Sequence, residues 1–109
     1  MKKLKHPLRK YARDQECLVA IPGVCNFNRE TTVLAHPNFR SVFMCGMGQK
    51  PPDWAGAHCC SSCHDVIDGR VTRTDFTEDE IEIMFCMAIF KTLKKVIEGS
   101  GIPLDFSQI

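Results

Sequence analysis

Cys60-Ser61-Ser62-Cys63-His64 is the stretch whose reading decides the fold of this chain. Two cysteines so spaced at the mouth of a turn can clamp one side of a zinc ion, and a tetrahedral site needs a second pair. Cys17 and Cys25, far upstream, supply it, so Cys17, Cys25, Cys60 and Cys63 read as one four-thiolate centre. Cys45 and Cys59 compete for places in that set. Cys86, between Phe85 and Met87, reads as core.

The totals favour metal over disulfides. Seven cysteines in 109 residues is an odd count, which suits a fully paired framework poorly. No apolar run of signal-peptide length follows the basic N-terminus, so the chain is expected to be cytoplasmic with reduced thiols, and no membrane span is expected. The same expectation argues against Cys60-x-x-Cys63-His64 as a haem attachment motif, whose chemistry requires export. A chain this short buries only about 60–70% of its unfolded surface, so a zinc staple adds what a small core lacks.

A net charge of +1 hides an uneven distribution. Lys2, Lys3, Lys5, Arg9, Lys10 and Arg13 precede the first acid, whereas Asp75, Glu78, Asp79, Glu80 and Glu82 crowd one later segment. A basic arm over residues 1–7 suits attraction to phosphate, as does a frayed and solvated terminus.

Periodicity and breakers order the rest. Pro7 is placed to open a short helix through Ala12. Cys17–Ile21 reads as a strand ended by Pro22-Gly23, and Thr31–His36 as a second one. Residues 37–53 carry too many prolines and glycines for a regular element and read as a long loop. A helix is expected from about Ala57–Cys60 through Ile67. Thr77-Glu78-Asp79-Glu80 is a capping box that starts a long helix running to Glu98, before Gly99-Ser100-Gly101. That helix is apolar nearly all round between Ile81 and Phe90, which predicts burial on more than one side and suggests a homodimer through it.

Two histidines stand out. His36 ends a strand and is followed by Pro37, so its imidazole can stand at a cleft edge and take a proton from attacking water. His64, opening the helix after Cys63, can bind a divalent ion such as Mg²⁺, with Asp53, Asp65 or Asp68 offering oxygens. His6 and His58 read as incidental. Arg40, Arg70 and Arg73 are candidate phosphate clamps.

Two cysteines, a strand ending in histidine, a loop, and CxxCH opening a helix resemble the HNH endonucleases of the ββα-metal class. Glu16–Cys25, Thr32–His36, Lys50–Asp53 and Cys60–Asp65 resemble more closely the YbcO family of predicted prophage nucleases, over roughly residues 8–70. The resemblance implies an α+β fold: a small zinc-stapled ββα-metal core over residues 8–70 with a long C-terminal helix over 77–98, all in one domain. It implies a DNA endonuclease with His36 as general base and His64 as the catalytic metal ligand. Two positions depart from the HNH pattern. Ala35 stands where a metal ligand usually precedes the base, and Ala55 falls near the place of the middle asparagine, with Asp53 the nearest polar substitute. A non-catalytic zinc module binding DNA or a protein is the alternative expectation.

Overall fold

Sulfur, more than strand propensity, shapes the first third of this chain. The computed structural model describes residues 6–37, 51–71 and 75–104. Within them Cys17–Ile21 is irregular and not the expected strand. Leu18 N–H donates to the His58 carbonyl at 2.9 Å, but the backbone then turns through Ala20 at φ 44°. Ala20 N–H donates to Cys17 Sγ at 3.3 Å, and Val24 and Cys25 N–H both reach the Ile21 carbonyl, at 3.0 and 2.9 Å. A flat strand would point Cys17 and Cys25 apart, whereas these turns bring them together.

The elements run α1 (Pro7–Ala12), β1 (Val33–Ala35), β2 (Ala57–Cys59), α2 (Ser61–Ile67) and α3 (Glu78–Gly99), with 3-10 turns at Arg29–Thr31 and Asp53–Ala55. Pro7 opens α1 as expected. The two strands pair antiparallel, with Val33 opposite Cys59, Leu34 opposite His58 and Ala35 opposite Ala57. The helix expected to begin between Ala57 and Cys60 starts at the late end of that range: Ala57–Cys59 is committed to this ladder, and α2 follows Cys60, whose Sγ accepts from Cys63 N–H at 3.4 Å. Gly56 precedes β2 for a steric reason: a Cβ there would lie 2.7 Å from Leu34 Cγ. The result is a small mixed α/β fold with a long C-terminal helix.

α3 packs on β2 and α1 packs against β1. Thr77 Oγ1 accepts from Glu80 N–H at 3.2 Å while Thr77 N–H donates to Glu80 Oε1 at 3.0 Å, closing the expected capping box. Thr77→Ala is expected to cost about 1 kcal/mol, seen as a lower midpoint in thermal unfolding followed by circular dichroism. The helix buries one face, formed by Ile81, Phe85, Ala88, Ile89, Thr92 and Val96. Burial on several sides, expected from its apolar composition, is not found among the described residues: Ile83, Met87, Phe90 and Ile97 are exposed. No helix among the described residues is long and apolar enough to cross a membrane.

His58, which the sequence offers no role, lies at the centre. It is fully buried on β2 against Tyr11, with ring centroids 5.8 Å apart. Its backbone N–H donates to Thr92 Oγ1 at 3.0 Å, tying β2 to α3, while neither ring nitrogen has a hydrogen-bond partner among the described residues. Burial, and secondarily the charge of Lys95, pull its pKa down to about 4, so it is a neutral core side chain at pH 7.

Candidate functional site

The turns around Cys17 and Cys25 and the β2–α2 junction bring four sulfurs to one point. The Sγ atoms of Cys17, Cys25, Cys60 and Cys63 all lie within 4.8 Å of one another. Cys25 and Cys60 Sγ are 3.8 Å apart. Thiolates at about 2.3 Å from a tetrahedral zinc have S···S edges of about 3.8 Å, so the spacing matches that ion. Both arms are built alike, since Cys17 and Cys60 each accept a backbone N–H from three residues on, Ala20 and Cys63. Asn26 Nδ2 locks the arms together through Ser61 Oγ at 3.0 Å and Ser62 Oγ at 3.3 Å.

The electrostatics of the bare cluster also fit a cation. Hydrogen bonds from Cys59 and Cys63 hold the Cys17 thiol far below its ordinary value. Hydrogen bonding to Cys17 in turn pushes Cys63 up, and burial followed by the charge of Cys17 raises Cys25 to about 11. Four thiolates so close repel one another, and one divalent ion relieves that repulsion. The donors present therefore fit a structural zinc.

Cys59 is the fifth thiol here, and the competitor for a ligand position. It is fully buried on β2, its Sγ reaches the Cys60 carbonyl at 3.5 Å, and its hydrogen bonding to Cys17 and Cys63 raises its pKa. It stays a protonated donor beside the cluster. Cys59→Ala is expected to retain one zinc per chain in a metal assay, with stability reduced by about 1–2 kcal/mol for the lost thiol contacts. Cys45, the other competitor, lies outside the described residues.

The two histidines singled out from the sequence line one groove. An open cleft of about 490 Å³ is walled by His36 and His64 together with Arg9, Leu34, Pro37, Pro51 and Asp68. His36 follows β1, and its Nε2 lies 2.8 Å from Asp53 Oδ1. Arg9, from α1, reaches the same oxygen through Nη2 at 3.0 Å and Nε at 3.2 Å. His6 Nδ1 stands 3.7 Å from Asp53 Oδ2. Burial raises the Asp53 pKa, but the hydrogen bonds from His36 and Arg9 outweigh it and hold the carboxyl below its usual range. An ionised carboxylate only accepts, so the proton in this contact sits on His36 Nε2, and in a neutral imidazole so held Nδ1 keeps its lone pair.

His64 lies one turn from Asp68 on α2, with Nε2 and Oδ2 3.2 Å apart. Two adjacent ligands of one octahedral cation, each at about 2.1 Å, are separated by about 3 Å. The pair can thus present neighbouring donors to a divalent ion. Asp65, also considered as an oxygen donor, is not among the groove residues; it takes Arg70 Nη1 at 3.1 Å. Arg70 also reaches Asp68 Oδ2 at 3.5 Å, so this proposed phosphate clamp is engaged with acids. Arg40 and Arg73, and the basic residues of the arm before His6, lie outside the described residues. Asp53, another candidate oxygen donor, accepts from His36 and Arg9 through Oδ1. Arg9 stands out in the sequence only as one of the basic residues before the first acid, because nothing local links α1 to Asp53, forty-four residues away.

Comparison with known proteins decides the family. The model of the family described as "Putative nuclease YbcO" matches residues 6–99. The chain belongs to the YbcO family. "Putative nuclease YbcO" of Escherichia coli (strain K12) is 56% identical over 68 residues, which cover 62% of this chain and 69% of that protein. The protein of the same name from Enterobacteria phage 82 matches with the same identity and coverage. Among solved structures, the one described as "Structure of a putative bacteriophage protein from Escherichia coli str. K-12 substr. MG1655" superposes with a TM-score of 0.69 at 36% identity, over 86% of this chain and all of that one. The family match spans the four cysteines, both groove histidines and all of α3.

Proposed function

We propose that this YbcO-family chain is a metal-assisted DNA endonuclease, an HNH-like unit stapled by zinc on Cys17, Cys25, Cys60 and Cys63, with His36 as general base. One observation carries the reading: His36 and His64 wall the same groove, each paired with a carboxylate, with Arg9 beside them. With Nε2–H held by Asp53, the His36 ring turns a lone pair toward water and removes its proton as the oxygen attacks phosphorus. The new P–O bond forms as the bond to the 3′ oxygen breaks. His64 and Asp68 would hold a divalent ion, which when bound supplies charge stabilisation at the leaving oxygen. Arg9 has five N–H donors, of which Asp53 engages those on Nε and Nη2, and the rest can meet a phosphate oxygen.

The positions that depart from the HNH pattern favour a second reading. Ala35 and Ala55 are buried, at 1% and 0% exposure, so neither contributes a ligand or a polar group to the groove. A zinc module that binds DNA without cutting it would need neither. Plasmid nicking by the zinc-loaded protein, with Mg²⁺, Mn²⁺ or EDTA, separates the two. Nicking that requires the divalent ion and disappears in His36→Ala supports the nuclease. Salt-dependent DNA binding without nicking, unchanged in His36→Ala, supports the binding module.

A further inference from the structure

α3 carries two apolar faces, and among the described residues only one is buried. Its 22 residues extend about 33 Å at 1.5 Å per residue. Ile83, Met87, Phe90 and Ile97 lie on the outer side, exposed by 63, 52, 67 and 66%. With Lys94 between Phe90 and Ile97, they step along the helix in alternating fours and threes, the spacing of a helix-pairing seam. Isolated exposed apolar side chains are ordinary, but a seam of four on one helix is an interaction surface. Beside it, Asp79, Glu82, Ile83, Cys86 and Met87 line an open hollow of about 440 Å³.

We infer that this face docks a second copy of the chain, with the two α3 helices antiparallel. This inference does not depend on the nuclease reading. Its basis is the charge order along the helix. Glu78, Asp79, Glu80 and Glu82 occupy the first turns, whereas Lys91, Lys94 and Lys95 occupy the second half, with Glu98 the exception. Parallel copies would set acid against acid and lysine against lysine. Antiparallel copies set the acidic end of each beside the lysines of the other and oppose their helix dipoles. A face complementary to itself when turned end for end is what a two-fold dimer requires. In the register that sets Phe90 of one copy against Ile83 of the other, Phe90 enters the hollow between Asp79 and Met87, and Asp79 meets Lys94.

The test is the mass of the full, zinc-loaded chain by sedimentation equilibrium. The wild type is expected at about twice its 12.3 kDa chain mass. Phe90→Glu is expected to weaken the dimer by about thirtyfold or more, with unchanged zinc content and circular dichroism because Phe90 lies outside the core. Asp79→Lys and Lys94→Glu should each weaken it, and the double variant should restore it, since antiparallel order brings the two positions together. A monomeric wild type at the highest soluble concentration overturns the inference, as does a Phe90→Glu protein that stays fully dimeric. A double variant no better than either single one overturns the antiparallel order.

Discussion

Cys60→Ser is expected to release the zinc and unfold the chain. Cys60 does three things at once: its sulfur belongs to the four-thiolate cluster, it accepts Cys63 N–H to start α2, and it lies fully buried beside β2. Structural zinc in small modules contributes apparent binding free energies of about 10–16 kcal/mol, against a total stability of about 5–15 kcal/mol for an ordinary domain. The regular elements near the cluster are only three to seven residues long, so a zinc ion on the four sulfurs would account for much of what fixes their arrangement. EDTA or a stronger chelator should therefore give the wild type the same circular dichroism as Cys60→Ser, and re-added zinc should restore only the wild type. A Cys60→Ser protein that keeps one zinc per chain and its cooperative transition would remove Cys60 from the ligand set. Cys59→Ala, one residue away and equally buried, is the control that separates loss of a ligand from loss of a core thiol.

What could be read from the sequence follows from how local each signal is. The Cys60/Cys63 arm and the Thr77 capping box were legible because partners three residues apart are fixed by a single turn. The pairing of Cys17 with Cys25 was legible from cysteine count and compartment, but its backbone was not. A β-branched, apolar run predicts a strand, and here sulfur–amide hydrogen bonds and Ala20 in the left-handed region override that propensity. Strand β2 was not legible for the complementary reason: alanine favours helix, and only the distant partner Val33–Ala35 makes Ala57–Cys59 a strand. The groove was half legible. His36 and His64 declare themselves by position, whereas the Asp53 and Arg9 contacts join segments seventeen and more residues apart and depend on how α1 closes over β1. Asp68 could have been preferred to Asp65 from helix geometry alone, because a residue four beyond His64 shares its face and one beyond does not.

Asp53→Asn is expected to lower nicking by about a hundredfold to ten-thousandfold, the range over which positioned proton transfer contributes to catalysis. Asparagine matches aspartate in size, so the groove keeps its shape, but it presents an amide that can donate to His36 Nε2. Imidazole then keeps its proton on Nδ1, and the lone pair that should meet water faces the amide instead. Asp53 touches none of the four cysteines, so zinc content should be unchanged. Its removal also takes a negative charge from beside Arg9 and His6, so DNA should bind no more weakly than to the wild type. The single-turnover rate at saturating protein should fall while affinity holds, a split that simple destabilisation would not produce. If Asp53 acts only through His36, the double variant His36→Ala/Asp53→Asn should be no slower than His36→Ala alone. Additive losses would instead mean that Asp53 meets the substrate or a metal directly, and the groove would then contain two independent catalytic groups in place of one positioned base.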